Sequence, residues 1–257
     1  FQAEEAGECK IVFRGASGKV TEYEIMNTDG PAVCLGRHNT EASMKDFARA
    51  CFRYAWESKQ DLKFAAKDTI SKVYDGYFRD VFEEEYALWK ERFEGAGLHY
   101  GYTLTDSAAA SLVTRDGGYI LALKNYDGDV MSDLVSAAFG SIAMMTSVLV
   151  TPDGKYEYEA AHGTVPDHYY RYLNGEKPAT NPTATIYAWS GALRKRGELD
   201  GLPDLCAFAG RLEEAALAVL REGYVSEDLL PSLAPGFSGK LSSAEEIVCR
   251  IASKMRG

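Results

Sequence analysis

Between residues 60 and 140 the hydrophobic pattern switches three times from strand to helix, and few architectures accommodate that alternation. Leu62–Ala65, Tyr100–Leu104 and Tyr119–Leu123 are short apolar runs of strand length. A long helical pattern reaching about Phe93 follows the first, and the Ala-rich Ser107–Val113 follows the second. After the third, Val130, Leu134, Val135 and Ala138 recur at three- and four-residue steps, which predicts a helix from Val130. Strands alternating with helices specify an α/β fold.

The third junction reads KNYDGDVMSD over Lys124–Asp133. Asn125–Asp129 has turn chemistry centred on Asp127-Gly128. Asp129 then stands at or near the helix N-cap, with Asp133 one turn later on the same face. A lone Asp at a helix start is an ordinary cap. Two carboxylates in register can share a hard divalent cation through oxygen.

Composition removes several function classes. The 257 residues are 46% hydrophobic, enough for a substantial core. A net charge of -10 without a basic patch argues against nucleic acid and anionic membranes as partners. No apolar run approaches the ~20 residues a spanning helix needs. The five cysteines are scattered without a CxxC pair. That pattern suggests neither a zinc site nor a disulfide framework, and it suits a reducing compartment.

The rest of the chain divides at residue 40. Before it, Lys10–Phe13 and Val20–Ile25 flank a Gly15–Gly18 turn, a hairpin signal. A two-stranded unit is marginal alone, so it docks on something, such as a second subunit, or serves as an edge hairpin. After it, Ser43–Trp56 is amphipathic, with Met44, Phe47, Ala48, Cys51, Phe52 and Ala55 on one face. Lys67 lies between a strand and a helix cap at Asp68 or Thr69. A desolvated Lys there can transfer protons, and a solvated one is a surface residue. Asp106 reads as an N-cap. Strands over Met144–Thr151 and Tyr156–Ala160 lead to a small, polar loop, Ala161–His168, whose glycine lets backbone amides approach a ligand. Asn181-Pro182 starts a helix, Thr183–Leu193, that is apolar on most sides and expected to be buried. Leu205–Glu222 and Ser243–Met255 are packing helices.

Several of these stretches occur in one order: Lys67-Asp-Thr-Ile with Tyr74-Asp75-Gly76, Lys124–Asp133, Met144–Val150, Glu159-Ala-Ala-His162-Gly-Thr-Val165, and Thr180-Asn181-Pro182. Together they resemble eukaryotic-type NADP-dependent isocitrate dehydrogenase, most densely over residues 66–190. The resemblance implies the isocitrate/isopropylmalate dehydrogenase-like fold and metal-dependent oxidative decarboxylation of isocitrate to 2-oxoglutarate with reduction of NAD(P)⁺. It also implies a homodimer with shared active sites; a soluble protein is expected, its compartment, cytoplasmic or mitochondrial, not given by the sequence. Asp106, Asp129 and Asp133 match the family's Mg²⁺ or Mn²⁺ ligands. Lys67 matches its catalytic lysine, which, like Asp106, reaches the partner's site. Gly163, Thr164, Val165, His168 and Asn181, with His162 before them, match the segment that holds the cofactor's adenosine end.

Two departures bear on the cofactor. Asp167 stands where the NADP enzymes have an Arg, and Thr114 where they have a Lys; both lost cations contact the 2′-phosphate. NAD is therefore the expected cofactor rather than NADP. The family also carries an N-terminal portion, with a Ser-x-Asn segment and tricarboxylate-binding arginines, that these residues do not include. The chain is accordingly expected to lack the N-terminal part of the large domain and to be inactive alone. Its parts are a dimerisation clasp at 1–40, a small domain at 41–139 and the C-terminal part of the large domain at 140–257. Two alternatives share the motif chemistry: a non-catalytic homologue acting as a dimerisation or binding module, and another β-decarboxylating hydroxyacid dehydrogenase.

Overall fold

The computed structural model describes every residue except Phe139, Thr164 and Gly257, together with the side chain of Ile142. The chain forms two compact units, Phe1–Ser43 and Met44–Gly257.

In the first unit, strands β1 (Gln2–Ala3) and β4 (Ala32–Val33) pair antiparallel, as do β2 (Gly7–Arg14) and β3 (Val20–Thr28). The β2–β3 pairing is the predicted hairpin, turning through Gly15–Lys19. Ile11, Phe13, Tyr23 and Ile25 are exposed on it. The ribbon buries almost nothing of its own, as expected of two strands without a covering layer.

The second unit is the predicted α/β fold. Helix α1 (Glu41–Ser58) is followed by β5 (Asp61–Ala66), α2 (Lys72–Gly95), β6 (Tyr100–Leu104), α3 (Thr105–Thr114), β7 (Tyr119–Leu123) and α4 (Asn125–Ala138). The three strands form a parallel sheet in the order β6-β5-β7, with Leu62 opposite both Tyr100 and Ile120. Central β5 is buried because α1 and α2 cover it with an aromatic core. Phe52, Phe64, Phe82 and Phe93 are fully buried, and the Phe64 and Phe82 rings stack at 3.9 Å. The apolar stripe predicted on α1 supplies Met44, Ala48, Phe52 and Ala55 to that core. β7 differs from expectation: as an edge strand it is only half-buried, with Ala122 alone fully covered.

Beyond the sheet, β8 (Thr146–Val150) and β9 (Tyr156–Ala160) make an antiparallel pair. Helices α5 (Pro166–Leu173), α6 (Thr183–Asp200) and α7 (Pro203–Arg221) follow, then strand β10 (Tyr224–Val225), strand β11 (Lys240–Leu241) and helix α8 (Ala244–Arg256). Gly191 lets α6 lie against β9, since a Cβ there would meet the Tyr158 ring at 2.9 Å. The expected burial of α6 on most sides is corrected. It runs on to Asp200 and exposes Trp189, because among the described residues it packs mainly on α7, β9, β8 and the short turn over 142–144, which leaves one side open. Among the described residues no helix is long and apolar enough to cross a membrane.

Candidate active site

The parallel sheet sets the geometry. Its strands end at Ala66, Leu104 and Leu123, so Lys67, Thr105 and Lys124 emerge on one edge. In open α/β sheets the carboxyl ends of the strands are where ligands bind. A charged network occupies this edge. Lys67 Nζ meets Asp106 Oδ1 at 2.6 Å. The Asp75 carboxylate accepts from the Lys67 backbone N–H at 3.0 Å and from Lys124 Nζ at 2.5 Å. Lys124 also lies 3.5 Å from Asp127. Beside it, Asp68 accepts from the Tyr102 hydroxyl at 2.8 Å and from Arg79 at 2.5 Å. Lys67 holds the carboxyl of Asp106 below the ordinary carboxylate range. Burial, reinforced by the hydrogen bond to Asp68, pushes the Tyr102 phenol up to about 12.

Three boundaries expected at this edge are corrected. α4 begins at Asn125, so Asn125–Asp129 is helix and Asp129 lies in its second turn rather than at its cap. The Gly128 N–H already donates to the Lys124 carbonyl at 2.7 Å, and Asp127 sits in the first turn, where negative charge suits the helix dipole. α2 begins at Lys72 with Ser71 as its cap, so neither Asp68 nor Thr69 caps it. The Ile70 and Ser71 N–H groups instead turn back to the Lys67 carbonyl, each at 3.0 Å. Asp106 is the second residue of α3, whose cap is Leu104.

The structure brings Lys67 and Asp106 together and leaves Asp129 and Asp133 apart from them. The latter two are exposed on α4, four residues apart, and among the described residues neither carboxylate meets a cation or a hydrogen-bond donor. Nor do three acidic, His or Cys side chains gather into a metal-sized cluster among those residues.

The second group of expected residues surrounds the start of α5. Here the expected loop ends early: α5 begins at Pro166, which suits a first helical turn, so Asp167 and His168 are helical. His162 Nδ1 lies 2.9 Å from the Gly163 carbonyl oxygen, and its Nε2 is buried with no partner among the described residues. Gly163 and Val165 are exposed, and Thr164 lies outside the described residues. His168 Nδ1 is 2.9 Å from Thr180 Oγ1. Asn181 is buried: its Oδ1 accepts from the Thr183 N–H at 2.9 Å, and its Nδ2 donates to Asp228 at 3.0 Å. Asp228 also accepts from Ser141 and Ser226, at 2.6 Å each. Burial raises its carboxyl, but the three hydrogen bonds outweigh burial and hold it below the ordinary range. Asp167 is exposed, 4.0 Å from Arg171, which also meets Glu176 at 2.8 Å and Glu227 at 3.1 Å. Thr114 bonds its own helix at the Ala110 carbonyl.

Asp75, Lys124, Asp228 and Arg171 carry no role in the sequence reading. Asp75 left one trace, an acid inside a helical pattern where an apolar residue belongs. Arg171 left a local one, Asp167 four residues before it; the pairs Asn181–Asp228 and Arg171–Glu227 left none, because their members lie 47 and 56 residues apart.

Comparison with known proteins follows the same lines. The isocitrate/isopropylmalate dehydrogenase family profile matches residues 16–248. The peroxisomal NADP isocitrate dehydrogenase of Candida tropicalis is 43% identical over 97% of this chain and 62% of its own length. The mitochondrial NADP enzyme of Saccharomyces cerevisiae is 45% identical over 87% of this chain and 54% of its own. The human mitochondrial one is 43% identical over 89% and 51%. The chain thus spans about half to three fifths of these relatives, whose names differ in compartment and agree on NADP. On the match across 16–248, this chain belongs to the isocitrate/isopropylmalate dehydrogenase family.

Proposed function

We propose that this chain forms part of a homodimeric isocitrate dehydrogenase. With a divalent cation it oxidises isocitrate to 2-oxoglutarate and CO₂, passing hydride to a nicotinamide dinucleotide. One observation carries the reading. Lys67 and Asp106 are joined at the sheet edge, while Asp129 and Asp133 stand on α4 unpaired among the described residues. That division is the one a site shared between two chains needs, with Lys67 and Asp106 facing the other subunit's Asp129 and Asp133. The exposed apolar side chains of α3 and α4, among them Val113, Val130 and Leu134, support association, as does the uncovered β2–β3 ribbon. In this reading residues 1–40 are the clasp, 41–139 the small domain and 140–257 part of the large one.

The donor set fits a hard cation: three carboxylates, all oxygen, two of them solvent-facing and uncompensated. Asp129, Asp133 and the partner subunit's Asp106 would hold Mg²⁺ or Mn²⁺. When bound, the ion supplies Lewis acidity at the substrate hydroxyl and its neighbouring carboxylate. Lys67 Nζ, as the neutral amine once it has left Asp106 and given up a proton to solvent, would accept the hydroxyl proton. Asp106 keeps that ammonium near the sheet edge until substrate and partner arrive.

The cofactor's adenosine end would lie along His162, Gly163, Thr164, Val165, Asp167, His168 and Asn181. The Nε2 of His162, buried and without a partner among the described residues, supports a ligand there, since buried polar atoms are rarely left without one. The relatives' names carry NADP. For this chain the finer reading is a preference for NAD⁺. Asp167, Glu176 and Glu227 crowd a single cation, Arg171, so a 2′-phosphate meets more negative than positive charge. A carboxylate there can accept from a ribose 2′-hydroxyl instead.

The test is isocitrate-dependent reduction of NAD⁺ or NADP⁺ by the full-length protein with Mn²⁺, abolished by a chelator. Turnover of isopropylmalate instead would move the chain to the other branch of its family, and reduction with neither would favour a binding module.

A further inference from the structure

We infer that Asp75 is a positioning residue for Lys67, an inference that rests on the proposed role of Lys67. Asp75 is deep in the fold, its side chain 2% exposed, and both of its oxygens are engaged. Oδ2 accepts from the Lys67 backbone N–H at 3.0 Å, and Oδ1 accepts from Lys124 Nζ at 2.5 Å. One carboxylate at the start of α2 therefore ties together the ends of β5 and β7. The Lys67 carbonyl is held as well, by the N–H groups of Ile70 and Ser71. Both main-chain polar groups of Lys67 are thus fixed, and the side chain is free to reach Asp106.

A buried ion pair is a poor device for stability alone, because apolar residues of similar volume do as well or better. It is a good device for geometry. A lysine ammonium rides on a four-carbon stem with many rotamers, so its reach is set by where its backbone is held. Misplacement of a reacting group by about 1 Å costs on the order of 100-fold in rate. Asp75 controls that placement without touching substrate, cofactor or the reacting atoms.

The experiment compares Asp75→Ala and Asp75→Asn with wild type in the full-length protein. Two readouts are used: steady-state kinetics with isocitrate, and hydrogen exchange at the Lys67 amide. For Asp75→Ala, kcat should fall roughly 10- to 100-fold while the isocitrate KM stays within about threefold. The Lys67 amide should exchange at least about 10-fold faster, as for a hydrogen bond opened locally. Asp75→Asn retains an acceptor oxygen and should recover part of both. A role in stability alone would lower Tm and leave kcat per folded molecule and Lys67 exchange unchanged, which would overturn the inference. If Asp75→Ala does not fold, Asp75→Leu/Lys124→Met removes both charges and the acceptor together and is read the same way. If wild type does not turn over isocitrate, the proposed function fails. Lys67 exchange still decides the positioning: faster exchange in Asp75→Ala supports it, and unchanged exchange overturns it.

Discussion

The sheet edge and helix α4 carry the same kinds of charge and treat them in opposite ways. At the edge, Lys67, Asp75, Asp106, Lys124 and Asp127 form one chain of contacts between 2.5 and 3.5 Å, in which every charge has an opposite neighbour. On α4, Asp129 and Asp133 face solvent with no cation paired to them among the described residues, although they lie only a few residues further along. The edge is complete within one chain. In the proposed function the α4 face is a half-site, its like charges one turn apart gaining only when a cation arrives. The same contrast recurs around α5, where Arg171 alone faces three carboxylates.

Breaking the complete side should have the largest effect. Lys67→Met keeps the length of the side chain and removes its proton. It should lower kcat by about 100- to 10,000-fold, the usual contribution of a general acid or base. Steady-state kinetics at saturating isocitrate and Mn²⁺ measure it, and a change under about 10-fold would remove Lys67 from the chemistry.

Next comes the half-site. Asp133→Asn leaves one anionic oxygen ligand on the helix and should weaken Mn²⁺ binding by roughly 10- to 100-fold. Calorimetric titration of the assembled protein reads this directly. Unchanged affinity would mean that α4 does not bind metal and that its two carboxylates are surface charges.

Asp167→Arg sharpens the α5 comparison. It turns one cation among three carboxylates into two cations among two. The ratio of kcat/KM for NADP⁺ to that for NAD⁺ should rise by about 10-fold or more. A wild type that already favours NADP⁺, or a variant whose ratio does not move, would end the NAD⁺ reading.

The smallest effect concerns acid. The folded-state pKa of Asp228 is depressed, so its contribution is present above the ordinary carboxylate value of 3.8 and is lost as pH falls through the folded value. Asp228→Asn should therefore destabilise by about 1 kcal/mol at neutral pH, discounted for partial exposure. The gap from wild type should narrow as pH drops below about 4. Urea unfolding at neutral pH and at pH near 3 checks it; a gap that widens in acid would contradict the assigned hydrogen bonds.

The local code was legible wherever period and burial agree. Alternating strand and helix patterns determined the α/β class, and the apolar stripe of Ser43–Trp56 named core residues of α1 correctly. The order of the motifs determined the family. Element boundaries were harder, because a cap is decided by whichever donor or acceptor is nearest in space. Asp129 and Asp106 read as caps from their type, yet α4 and α3 start before them, at Asn125 and Thr105. The β7 run read as a buried strand because apolar content cannot tell a central strand from an edge.

Only the tertiary structure decided which charges meet. Lys67 and Asp106 are 39 residues apart in the chain, and Lys124 and Asp75 are 49 apart. Parallel pairing of β5 with β6 and β7 brings their ends to one edge, a consequence of register rather than of any local pattern. Charge type and spacing are properties of the sequence. Whether a carboxylate is neutralised, buried or left open depends on what the fold places within about 4 Å of it, where electrostatic interaction becomes strong.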